Sequence, residues 1–223
     1  MTATERTAPV TAVVLAGGPA RGVDRLRAAL HGADLVVAAD GGIALADALG
    51  VTPDLWVGDF DSVNDDQRRA HRSVPHEDHP VDKDDLDLEL AIRAARLRGA
   101  RELRLLGVFG GRLDQTLAAL LVAARLRDEG VMSWLAGDGH EAFVLGAGDA
   151  VNLDLPPGTV FSLLSLRQDA VVDVRGARFE LTAARLPFGV GLGVSNRAVD
   201  GPSVTVHAGT VALLIEWSEE RRP

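Results

Sequence analysis

At 223 residues, with 47% hydrophobic and 25% charged residues, the chain can bury one large core or two small ones and is too apolar to be disordered. It has no cysteine, which excludes disulfides, thiolate nucleophiles and cysteine metal sites. The net charge of −9 excludes a protein that tracks a nucleic-acid backbone, yet it allows a nucleotide held by a few cations and by divalent metal on carboxylates. The polar start, with Glu5 and Arg6, lacks the order of a signal peptide, and no apolar run approaches the roughly 20 residues that cross a bilayer. A cytoplasmic protein with neither membrane nor nucleic-acid partners is expected.

In chain order, 10–16 reads as a strand ending in Gly17-Gly18, 24–30 as a helix, and 35–39 as a second strand ending in Asp40-Gly41-Gly42. A short helix over 43–49 closes at Gly50, and a third strand over 55–57 runs into Gly58-Asp59-Phe60-Asp61-Ser62. The apolar spacing of Leu88, Ala91, Ile92 and Ala95 predicts a helix over 87–97, followed by a strand over 103–106 and an Ala- and Leu-rich helix over 113–127. This alternation predicts an α/β parallel-sheet domain over 10–137. From about residue 142, strand signals over 159–166, 170–174, 204–207 and 211–217 are separated by Pro156-Pro157-Gly158, Arg175-Gly176 and Gly201-Pro202. They predict a small all-β sandwich over 138–218.

Carboxylates recur where strands give way to loops: Asp40, then Asp59 and Asp61, then Asp84 and Asp87 at a helix start. In an open parallel sheet such loops share one edge. Asp59 and Asp61 fall on one side of an extended backbone, and Asp84 and Asp87 on one face of a first helical turn. Any one of them is more often a cap or turn residue than a catalyst. Jointly, beside glycines that admit a ligand to the backbone, they favour a metal-nucleotide site, and hard oxygen ligands next to phosphate suit Mg²⁺. Gly110-Gly111-Arg112 before a helix offers N–H groups and a guanidinium to an anion, although no Walker lysine follows.

Asp40-Gly41-Gly42, Pro53-Asp54 ahead of Gly58-Asp59-Phe60-Asp61-Ser62, Lys83-Asp84 with Asp87, Gly110-Gly111-Arg112-Leu113-Asp114 and the late Ser195-Asn196 stand in the order and spacing of the thiamine diphosphokinase family, which the chain resembles from about 10 to 215. The resemblance implies an ATP-dependent transfer of pyrophosphate to the thiamine hydroxyl, with Mg²⁺, by a homodimer whose partner subunit contributes to the thiamine pocket. It implies a nucleotide-binding catalytic domain followed by a thiamine-binding domain. By that resemblance Asp40, Asp59, Asp61 and Asp87 look like the catalytic metal and phosphate acids, and Lys83, Asp84, Gly110, Gly111, Arg112, Asp114 and Gln115 like the nucleotide site. Ser195 and Asn196, which on their own read as a turn between strands, look like the thiamine site.

Two positions depart from the family pattern. Leu86 stands where many members have Thr, and Gln115 where many bacterial members have His. Two alternatives follow from the same residues: a diphosphokinase for another alcohol such as a pterin, and a non-catalytic thiamine diphosphate or ATP sensor, which the missing hydroxyl at Leu86 would suit. His71, His76 and His79 could be read as a zinc cluster, but solvated loop histidines are the commoner case. Trp56 reads as core. Trp217 could stack on the cationic thiazolium.

Overall fold

The computed structural model describes residues 9–80 and 85–217, and the chain divides into two units, Met1–Gly107 and Val108–Pro223. In the first unit β1 (Val10–Leu15), β2 (Leu35–Ala39), β3 (Leu55–Gly58), β4 (His76–Asp78) and β5 (Ala100–Leu106) pair in parallel in the order β5-β1-β2-β3-β4. Ala12 to Leu15 have no exposed surface, which is why β1 reads as an unbroken apolar run. The order of strands reverses between β1 and β5, so the C-terminal end of β1 lies at a switch point, where open sheets bind ligands, and the loop after β2 is one strand away.

Helix α1 (Val23–Ala28) packs on α2 (Ile43–Leu49), which a short 3-10 turn, Asp40–Gly42, joins to β2. Helix α3 (Asp65–Ala70) buries none of its residues and depends on a capping box, in which Asn64 and Gln67 exchange bonds between side chain and backbone. Helix α4 (Asp87–Leu97) packs across β1, β2, β3 and β5 through a face of Leu90, Ala91, Ile92, Ala94 and Ala95.

The second unit opens with α5 (Leu113–Asp128), which packs on β6 (Met132–Gly137) and β7 (His140–Gly146). The sequence rhythm assigns α5 and β6 to the α/β part. They belong here to the same compact unit as the later strands. These are β8 (Ala150–Asn152), β9 (Val160–Ser165), β10 (Ala170–Ala177), β11 (Leu181–Leu186), β12 (Gly193–Ala208) and β13 (Thr210–Glu216).

All the pairings described in this unit are antiparallel, in the order β11-β10-β12-β9-β13-β7-β6, with β8 on β12. The first five residues of β12 pair with β9; from Ala198 onward it pairs with β10 and β8. Such a bend lets one strand serve two sets of strands around one core, here centred on Phe161, Leu163, Val172, Val204, Leu186 and Leu213.

Candidate active site

Asp40 follows the last residue of β2 with φ 40, a left-handed backbone that costs a residue with a Cβ about 1–2 kcal/mol. Only 8% of it is exposed. The Ser62 hydroxyl donates to its Oδ2, while Oδ1 is buried without a hydrogen-bond partner. A buried carboxylate oxygen in that state is costly unless a cation meets it. Gly58, at the end of β3, makes room: a Cβ there would come within 2.9 Å of the Asp40 Cβ.

Asp59 follows Gly58, and Asp87 is the first residue of α4. One oxygen each from Asp40, Asp59 and Asp87 lie within 4.8 Å of one another. Three hard donors so spaced, one of them buried and unsatisfied, fit a divalent cation.

Asp61 is close to this group but outside it. The extended backbone expected from Asp59 to Asp61 is absent, because Phe60 takes φ 61 and the chain turns so that the Asp61 N–H donates to Asp59 Oδ1 at 3.2 Å. The negative charge of Asp59, then burial and Asp40, raise the Asp61 carboxyl above the ordinary aspartate value. Lys83 and Asp84 lie outside the described residues.

In the second unit Gly110 has φ 82, and a Cβ there would fall 2.3 Å from that of Asp138, so only glycine fits. Gly111 follows it in the loop, exposed. Arg112 then grips Asp114 through Nε at 3.1 Å and Nη2 at 2.6 Å, and the Gln115 N–H donates to Asp114 Oδ1. The Arg112 bond, more than any other influence, lowers the Asp114 carboxyl, and Asp114 in turn raises the guanidinium. Both side chains are more than 60% exposed (72% and 64%), so the pair is weak and a phosphate can compete for the fork.

An apolar pocket of about 480 Å³ opens beside this loop, lined among others by Phe109, Thr116, Phe161, Ser162 and Ile215. No sequence signal marks it, because its walls come from segments about a hundred residues apart. Ser162 Oγ accepts from the Ser195 N–H at 3.0 Å. Ser195, at φ 60, sits in a bulge where three residues of β12 advance against two of β9. Asn196 is 5% exposed and spends its amide on backbone: it accepts from the N–H groups of Phe179 and Arg197 and donates to the Phe179 carbonyl.

The histidines disperse. His71 Nε2 lies 2.9 Å from Asp47, and His76 faces Asp78 at 3.7 Å. The three-oxygen aspartate group is the one metal-competent cluster among the described residues. Trp217 packs against the core of the second unit. No described helix is long and apolar enough to cross a membrane.

Two family models match the chain: thiamin pyrophosphokinase, catalytic domain, over 26–135, and thiamin pyrophosphokinase, vitamin B1 binding domain, over 150–211. The chain belongs to the thiamin pyrophosphokinase family. Thiamin pyrophosphokinases are ATP-dependent diphosphotransferases that bind thiamine and ATP and typically use a divalent metal.

Among solved structures, the chain is similar to the thiamine pyrophosphokinase of Bacillus subtilis, at 20% identity and TM-score 0.83 over 93% of this chain and 99% of that one. It is similar also to the thiamin pyrophosphokinase of Candida albicans, at 16% identity and TM-score 0.78 over 94% and 89% of the two chains. The yeast thiamin pyrophosphokinase aligns at 14% identity and TM-score 0.75 over 96% and 88%. At these identities the likeness establishes the fold. No curated relative matches by sequence.

Proposed function

We propose that this thiamin pyrophosphokinase is Mg²⁺-dependent, with Asp40, Asp59 and Asp87 holding the metal and Asp61 completing the acidic site. The observation that carries the assignment is the buried Oδ1 of Asp40, left without a hydrogen bond inside a group of three carboxylate oxygens within 4.8 Å. Mg²⁺, when bound, supplies charge neutralisation to the triphosphate. The thiamine hydroxyl attacks the β-phosphorus of ATP, the new O–P bond forms as the bond to the α-phosphate oxygen breaks, and AMP leaves. Asp61, outside the three-oxygen group, is placed by this reading to accept the hydroxyl proton. Arg112 exchanges Asp114 for a phosphate, with Gly110 and Gly111 giving the anion access to backbone N–H groups ahead of α5 and Gln115 at its first turn. Lys83 and Asp84 complete the nucleotide site by family resemblance.

The thiamine-facing segment is assigned to Ser195 and Asn196. The bulge at Ser195, its bond to pocket-lining Ser162 and the anchoring of Asn196 to Phe179 support that reading. A catalytic part over 10–137 and a thiamine-binding sandwich over 138–218 are supported by the two family models, whose matches fall on either side of that division. The protein works in the cytoplasm as a homodimer. Helix α5 supports the dimer: Ala119, Val122, Ala123 and Leu126 are buried, while Leu113, Leu117 and Leu121 form an exposed apolar row at helical spacing.

Incubation with MgATP and thiamine, following AMP and thiamine diphosphate together, tests the reading. Equal yields of both, reduced at least a hundredfold in Asp59→Asn, are expected. Thiamine binding without AMP, or AMP formed only with a pterin alcohol, would overturn it.

A further inference from the structure

Two residues of the acidic site, Asp40 and Phe60, carry a Cβ in left-handed backbone, with φ 40 and φ 61. Neither conformation persists unless the surroundings impose it. One side chain meets both. Trp56, in β3 and 4% exposed, donates its indole N–H to the Asp40 carbonyl oxygen at 2.8 Å in a buried bond. That carbonyl also accepts from the Ile43 N–H, so both its lone pairs are used.

The Trp56 ring meets Phe60 edge to face, with centroids 4.7 Å apart at 80°. On the outer side of Phe60, Arg68 donates Nη2 to the Phe60 carbonyl at 2.8 Å and lays its guanidinium 5.3 Å from the ring centroid. The edge of Trp56 is closed by the His71 ring at 6.1 Å. A leucine or valine at position 56 would also be buried in the strand, but besides leaving a cavity neither could bond the Asp40 carbonyl.

The geometry points to Trp56 as a positioning residue of the acidic site, whose indole fixes the backbone of Asp40 and Phe60 and thereby the spacing of the Asp40 and Asp59 carboxylates. This rests on the reading that those acids hold a divalent cation. Trp56 is not one of the three acids; it acts through the two residues it braces. Hydrogen bonds onto metal-ligating side chains set affinity by about 10- to 100-fold, and a brace on the ligand's backbone is expected at the lower end of that range.

The test is a Mn²⁺ titration, read by electron paramagnetic resonance of the free ion, with and without α,β-methylene ATP, on wild type, Trp56→Phe and Leu103→Val. The last makes a cavity in the same unit, in a strand that carries none of the acids. Trp56→Phe is expected to bind Mn²⁺ about tenfold more weakly and to lose about tenfold in kcat, with the thiamine KM within about twofold, while Leu103→Val loses stability only. Wild-type Mn²⁺ affinity in folded Trp56→Phe would overturn the proposal. If Trp56→Phe does not fold, Arg68→Met removes the outer brace of Phe60 from the surface: about threefold weaker Mn²⁺ binding supports the proposal and unchanged binding overturns it. Wild type that binds no Mn²⁺ under either condition would instead remove the metal-site reading, and this proposal with it.

Discussion

Ser62 donates its hydroxyl to one oxygen of Asp40, and the other oxygen of that carboxylate is buried without a hydrogen bond. The carboxylate is thus oriented through one oxygen and unsatisfied at the other. Asp40→Asn removes the buried charge, so the metal-free protein should gain about 1–3 kcal/mol while Mg²⁺-dependent turnover falls at least a hundredfold. Thermal unfolding in EDTA and in Mg²⁺ checks this: Mg²⁺ should raise the wild-type midpoint and leave the variant where it was.

Leu86 occupies the N-cap of α4 with φ −69 and ψ 148, yet its side chain caps nothing. A hydroxyl there can accept from an N–H of the first turn, the turn that carries Asp87. Leu86→Thr should therefore stabilise the protein by about 1 kcal/mol, seen as a higher urea midpoint. Unchanged stability would mean that the cap bond does not form.

Asp149 accepts from Arg127 Nε and Nη2 and from the Gly146 N–H at 2.6–2.8 Å, with each side chain of the ion pair about one-fifth exposed (21% and 20%). Burial is the largest single influence and raises its carboxyl, but the Arg127 and Gly146 bonds and the Arg127 charge outweigh it, and the net shift is downward. A depressed carboxylate contributes stability at pH values above its unfolded value of about 3.9, and that stability is lost as the pH falls through the folded value. Asp149→Asn should cost about 2 kcal/mol at pH 7, and the gap to wild type should close below about pH 3.9. Urea midpoints between pH 3 and pH 7 measure it.

The exposed row of Leu113, Leu117 and Leu121 on α5 should lie in the dimer contact. Leu117→Glu with Leu121→Glu should convert a dimer to a monomer in light scattering. A double variant that stays dimeric places the contact elsewhere.

Much of the first unit was legible in the sequence because β1, β2 and β3 are buried on both faces and α2 and α4 carry one apolar side: 35–39, 43–49 and 87–97 were read with the observed bounds, while the exposed β4 was not read. Helix α3 buries nothing and so has no apolar period, although Asn64 and Gln67 already spelled its cap. The β6–β7 hairpin went unread despite Asp138-Gly139, whose φ values of 45 and 76 are those such a tight turn demands. In β12 only 204–207 was seen, because Gly201-Pro202 within it reads as a turn. The acidic group was legible as aspartates at strand ends and at a helix start. The unsatisfied oxygen of Asp40 and its carbonyl bond to Trp56 were not, since both depend on how separate strands end in space.

The division of β12 between two sets of partners has a further consequence. Slipping it by one residue against β9 would break its register with β10 at the same time, and the reverse. The two registers are thus coupled along one strand, so the Ala198 amide, where β12 passes from one set of partners to the other, should exchange with deuterium more slowly than those of the exposed loop before Gly193.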